Sequence, residues 1–197
     1  MSNAMWDERY TQAAATGSTV WSKGPNAWIE STIGPLPPGR AVDLAAGEGR
    51  NALWLASRGW AVTAVDFSAA GLAIGQARAA ELGLDIDWVV ADATAWVAPE
   101  PVDLVVIAYL QLPKDELARA VANAAASLAH GGTLAMIGHD RDNLERGVGG
   151  PQNPLILHDV AELRTAATGL DIVECAQIER PVDGGVAIDT ILLARKA

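Results

Sequence analysis

The chain has 197 residues, of which 50% are hydrophobic and 19% charged, and it carries a formal net charge of −10. That balance excludes a disordered polymer, and no apolar run is long enough to suggest a membrane partner. The acidic surface, relieved by no basic group larger than Arg195-Lys196, argues against a nucleic-acid partner and leaves small molecules or a protein as possible partners, with a small molecule expected.

The length suits one α/β domain, and nothing in it fixes an oligomeric state. Residues 1–4, with Ser2-Asn-Ala4, read as an expression-tag remnant before a natural start at Met5. Residues 5–38 are expected to form a helical cover and residues 39–197 a Rossmann-like core. The N-terminus lacks a basic segment followed by an apolar one, and Cys175 has no second cysteine to pair with, so a cytoplasmic location is expected.

In chain order, residues 5–15 predict a short helix carrying Trp6 and Tyr10. A second helix is expected over 26–33, opened by Pro25. Pro35-Leu-Pro-Pro-Gly39 breaks the chain before strand one, 41–45. A glycine loop leads into a helix over 50–58. Strand two (61–65), a helix (69–82) stopped by Gly83, and strands three (86–90) and four (102–108) follow. Pro113 opens a helix running to about Leu128, ended near Gly131-Gly132, and strand five is 133–137. His130 reads as a helix-terminal residue and His158 as a helix start. A polar loop from His139 to about Leu157, a helix over 159–167, and two strands (172–178 and 187–194) flanking Pro181-Val-Asp-Gly-Gly185 complete the chain. The alternation predicts a seven-stranded, mostly parallel Rossmann-like sheet with a C-terminal antiparallel strand and helices on both faces.

The central motif is Val42-Asp-Leu-Ala-Ala-Gly-Glu-Gly-Arg-Asn51, between a buried strand and a helix start. Gly47 and Gly49 permit close approach of a ligand to the backbone, and the helix that follows points unpaired amides at the loop. A tight strand-to-helix connection would need the same glycines. Three acids add to the motif. Asp66, ending strand two, can accept hydrogen bonds from both hydroxyls of a ribose, or cap a helix, a task open also to Ser68. Asp92, ending strand three, can accept from an exocyclic adenine amine, or serve as a turn carboxylate. Asp43, inside strand one, needs a partner, either a cationic ligand or backbone amides. The spacing from Gly47 to Ala52 loosely fits a dinucleotide loop. Such a site needs neither Asp43 nor Asp92.

The segments 43–56, Val62-Thr-Ala-Val-Asp-Phe-Ser68, Ala91-Asp-Ala93 and Leu128-Ala-His-Gly-Gly-Thr-Leu134 resemble class I S-adenosyl-L-methionine (SAM)-dependent methyltransferases. Within that class the chain is similar to the bacterial tellurite-resistance methyltransferases and their thiopurine-methyltransferase relatives, with Ala46 where cysteine is common. The resemblance implies SAM as cofactor and S-adenosyl-L-homocysteine (SAH) as product. It implies that Gly47 and its neighbours Asp43, Ala45, Gly49, Arg50 and Asn51 serve the methionine moiety. Asp66 would hold the ribose beside Ser68, with Phe67 near the adenine and Asp92 and Ala93 at its edge. Ala108 and Tyr109 would lie close to the transferring methyl.

Methyl transfer from a sulfonium needs alignment and exclusion of water more than a catalytic dyad. Trp6, Tyr10, Trp21 and Trp28 can pack a flat acceptor or face a sulfonium; equally, they can staple the N-terminal helices to the sheet. The loop after strand five is expected to form a lid. Gly138 would let the chain turn there, His139 would take a proton from the acceptor or hydrogen-bond an oxyanion, and Arg146 would pair with an anionic acceptor. Trp54, Trp60, Trp88 and Trp96 read as packing residues, and Cys175 as buried in a late strand.

Overall fold

The computed structural model describes residues 3–16, 18–22 and 24–197. Its elements are α1 (Asn3–Ala15), α2 (Ala27–Ile33), β1 (Arg40–Leu44), α3 (Arg50–Ser57), β2 (Ala61–Asp66), α4 (Ala69–Leu82), β3 (Ile86–Val90), β4 (Val102–Ala108), α5 (Lys114–Ser127), β5 (Leu128–His139), α6 (Asn143–Arg146), a 3-10 turn (Pro154–Ile156), α7 (Val160–Ala166), β6 (Asp171–Val182) and β7 (Gly185–Arg195). The seven strands form one sheet in the order β3-β2-β1-β4-β5-β7-β6. β1 to β5 run parallel, and β7 runs antiparallel to both β5 and β6.

The central strands are apolar because both their faces are covered. In β4, Leu104, Val105, Val106 and Ile107 are all fully buried. Val105 and Ile107 pack into the core beneath α5 and α7, with Leu117, Val121 and Leu163. Leu104 and Val106 pack into the core on the other face, with Ile29, Ile33, Leu53 and Leu55 of α2 and α3. The sheet grows outward in one direction from β1 and in the other from β4. Their carboxyl ends therefore flank the crevice where such sheets bind ligands.

Helix boundaries follow capping chemistry. Asn26, not Pro25, caps α2, its side chain accepting from the amides of Trp28 and Ile29. Ser68 caps α4 through the Gly71 amide, and Asp159 caps α7. Three further expectations are corrected. Gly131-Gly132 do not separate helix from strand: β5 starts at Leu128 directly after α5, and His130 is an exposed strand residue. His158 is no helix start but a residue 1% exposed, bridged to Asp140 and with Nε2 3.0 Å from the Leu110 carbonyl. Gly138 makes no turn. It continues β5, and a Cβ there would overlap the His158 ring, so close packing explains the glycine. The loop after β5 holds α6 and the 3-10 turn, and the β6–β7 pairing runs on to Val182↔Gly185, narrowing the expected turn to Asp183-Gly184.

Candidate active site

The loop after β1 is shaped by left-handed residues: Ala45 (φ 65°), Gly47 (φ 56°) and Gly49 (φ 72°). Glycine takes this region freely, whereas alanine pays roughly 1–2 kcal/mol. Tyr109 (φ 62°), just past β4, is the other non-glycine residue with positive φ among those described. Both strained residues line one cleft at the carboxyl ends of β1 and β4, where backbone strain points to function. The cleft encloses about 700 Å³, part of it open to solvent, and is walled by Trp6, Tyr10, Trp21, Ala45, Gly47, Arg50, Asn51, Asp66, Phe67, Ala108, Tyr109 and Gln111. Past Asp66, Phe67 and Leu112 it continues along the end of β3 to Asp92 and Ala93.

Two buried carboxylates, Asp43 and Asp66, flank the glycine loop, and a third, Glu48, belongs to it. Asp66, 8% exposed, accepts from the Gly47 amide through Oδ2 and the Ser68 amide through Oδ1, both at 2.8 Å. Burial pushes its pKa up, and these two hydrogen bonds oppose that shift. Asp43, 1% exposed, accepts from the Ala52 amide through Oδ2 at 2.9 Å, while Oδ1 lacks a hydrogen-bond partner. Burial raises it to about 7 against the pull of that amide and of Arg50. Glu48, also 1% exposed, accepts from the amides of Val20 (2.9 Å) and Trp21 (3.3 Å).

The cover is aromatic and cationic. Trp6 stacks on Tyr10, and Trp21 stacks on Tyr109 with centroids 6.3 Å apart. The Arg50 guanidinium lies over both the Trp21 and Tyr109 rings, and Arg180 lies over Tyr109. The Tyr109 hydroxyl is fully engaged: it donates to Asp189 Oδ2 at 3.0 Å and accepts from Asn26 Nδ2 at 3.3 Å. Burial, then the neighbouring Asp189, push its pKa up. Asp189, fully buried, also accepts from Arg180 Nε at 2.7 Å, and its Oδ1 lies 3.0 Å from His139 Nδ1. Burial would raise this carboxyl, but His139 and Arg180 together hold it below the ordinary range.

Of the residues singled out in the sequence, Ala45, Gly47, Arg50, Asn51, Asp66, Phe67, Ala108 and Tyr109 line the cleft, and Asp92 and Ala93 line its extension. Asp43 and Ser68 are buried beneath it, and Gly49 lies against Trp88, whose ring a Cβ there would strike. Asp92 Oδ1 is engaged by the amide and hydroxyl of Thr94. His139 sits behind Tyr109, ring centroids 4.9 Å apart, and not on the cleft wall. Arg146 is exposed at the end of α6, paired with Asp142 (3.1 Å) and Glu179 (3.7 Å), and is not brought to the cleft. Trp28 packs on the core under α2 instead of joining Trp6 and Trp21. Sequence reasoning passed over Glu48, Arg180 and Asp189. Asp189 becomes visible only through the β5–β7 register, which sets it opposite His139.

Residues 41–132 match the family model for a methyltransferase domain. No curated protein sequence matches the chain. Among solved structures it is similar to TehB from Haemophilus influenzae (18% identity, TM-score 0.74), over 89% of this chain but only 64% of that longer one. It is similar to the N-methyltransferase NodS from Bradyrhizobium japonicum in complex with SAH (18%, TM-score 0.64, 96% and 86% of the two chains). It is also similar to the [4+2]-cyclase SpnF (19%, TM-score 0.75, 98% and 94%). Residues 41–132 thus match the methyltransferase-domain model, and the chain as a whole has the Rossmann-like fold of these solved structures.

Proposed function

We propose that the chain is a SAM-dependent methyltransferase acting on a small-molecule acceptor, a thiol, chalcogen oxyanion or heterocycle, by direct in-line transfer. One observation carries the cofactor half of this reading: Asp43 and Asp66, both buried, flank the glycine loop, which itself carries the buried Glu48. A pyrophosphate seated there would meet the Asp66 carboxylate on the cleft wall, with Asp43 and Glu48 buried outside the lining, in a poorly solvated place. A ligand bearing an ammonium and a sulfonium would offset them. This argues against a nicotinamide-dependent oxidoreductase. The fold alone does not choose the chemistry, since a cyclase shares it.

The residues present fit SAM. Each oxygen of Asp66 has spent one lone pair on a backbone amide and retains another for a ribose hydroxyl. The unpartnered Asp43 Oδ1 leaves an open acceptor under the loop, and a cationic methionine end would draw this carboxyl, raised to about 7 by burial, into its ionised form. The backbone at Gly47 would take that end with Arg50 and Asn51, and Phe67, Asp92 and Ala93 would take the adenine. SAM supplies a methyl already activated on sulfur. The chain's own task is to align the acceptor and exclude water, and the Trp6, Tyr10, Trp21 and Tyr109 rings suit it. With its hydroxyl held by Asn26 and Asp189, Tyr109 offers a ring face and not a proton. His139 would act on the acceptor only through Asp189 and Tyr109, and Arg146 has no part in this reading.

The narrower kinship with the tellurite-resistance and thiopurine group rests on the residues quoted for it and belongs to this proposal. Incubating the protein with methyl-labelled SAM and a panel of thiols, chalcogen oxyanions and heterocycles tests it. Label should move to one chemical class. SAM binding with no transfer to any class would leave a non-catalytic SAM-binding regulator.

A further inference from the structure

We infer that Glu48 is a positioning residue of this site: it latches residues 18–22 onto the glycine loop, which holds the aromatic wall over the cleft and sets how long a bound ligand stays. Between the left-handed residues Gly47 and Gly49, Glu48 accepts the Val20 and Trp21 amides, 28 and 27 positions away in sequence. A buried carboxylate with two backbone donors is a strong tie, because losing either side strands polar groups.

What the latch fixes is the cover. Trp21 stacks on Tyr109 and donates through Nε1 to the Tyr10 hydroxyl at 3.3 Å. That hydroxyl in turn sits over Gly47, so close that a Cβ there would lie 2.5 Å from it. Arg50 donates to Ser22 Oγ at 2.9 Å while lying over Trp21. One short segment thus joins the loop that would carry the cofactor to the rings that would enclose the acceptor. A ligand seated against Gly47 lies beneath Tyr10 and Trp21, and its release requires the cover to lift.

Two measurements on the full chain test the inference. In the ligand-free protein, hydrogen exchange at the Val20 and Trp21 amides should be slow and should accelerate roughly tenfold or more in Glu48→Ala, with a smaller rise in Glu48→Gln, which keeps one acceptor oxygen. With SAH as probe, stopped-flow release should speed up by a similar factor in Glu48→Ala while association is not slowed. Should Glu48→Ala fail to fold, Val20→Pro deletes one donor without touching the loop and should speed both processes. Unchanged exchange and unchanged SAH release in folded variants would overturn the latch. The release arm rests on the proposed SAM chemistry and the exchange arm does not. A wild-type chain that ignores SAH would therefore sink the proposed function and leave the latch to be decided by exchange alone.

Discussion

Replacing Asp66 by alanine removes the one cleft-lining side chain with two acceptor atoms set for a ribose. Each Asp66 oxygen holds one backbone amide at 2.8 Å and retains one further lone pair. Two hydrogen bonds from ribose hydroxyls to this carboxylate would contribute about 1.5–3 kcal/mol each, less the water contacts they replace, or about 2–4 kcal/mol together. At about 1.4 kcal/mol per tenfold, SAH affinity should fall roughly 30- to 1,000-fold. The Gly47 and Ser68 amides also lose their acceptor, so thermal unfolding must be followed in parallel. Asp66→Asn, which can still accept one amide, separates the two effects: it should recover much of the stability and little of the affinity. Calorimetric titration of SAH into folded variants reads the result. Wild-type affinity in Asp66→Ala would refute the ribose assignment.

Two buried titratable groups give opposite pH signatures. Burial raises the folded-state pKa of Asp43 to about 7 from an ordinary 3.8, so its contribution to stability is full below pH 4 and is lost as pH rises through 7. Asp43→Asn should therefore gain on wild type by up to roughly 4 kcal/mol between pH 4 and pH 8 in urea unfolding, and a pH-independent difference would contradict this. Burial lowers His158 to about 4 from an ordinary 6.5, so its contribution is present above pH 6.5 and lost as pH falls toward 4. Replacing His158 by glutamine should flatten that acid limb by roughly 3 kcal/mol, and an unchanged limb in a folded variant would show that the imidazole is not held neutral.

The parallel half of the sheet was legible because its strands are short, mainly apolar runs and its helices end at recognisable stops. Leu104–Ile107 reads as a two-face buried strand, and Gly83 as a left-handed cap, which it is (φ 67°). The glycine loop and the acids at the strand ends were legible for the same reason: the fold puts successive strand ends side by side. The start of β5 was not. Gly131-Gly132 normally ends an element, but here the pair forms an irregularity within β5, between Leu128 and Thr133 of its β4 pairing, and is held by backbone hydrogen bonds to Lys196. Side-chain direction was also hidden. His139 and Arg146 share a loop in sequence, yet His139 turns inward to Asp189 and Arg146 outward to Asp142 and Glu179. The Asp189 hub depends on β7 returning antiparallel beside β5, and no local pattern encodes that register. Glu48 looked like a loop residue because its partners, the Val20 and Trp21 amides, belong to a segment with no regular structure.

The central claim is that the glycine loop, carrying Glu48 and flanked by Asp43 and Asp66, selects a cationic nucleoside over a dinucleotide. Isothermal titration of the full chain with SAM, SAH and NADH, under one buffer and salt condition, tests it most directly. The account predicts saturable one-to-one binding of SAM and SAH and none of NADH, whereas saturable NADH binding without SAM binding would contradict it.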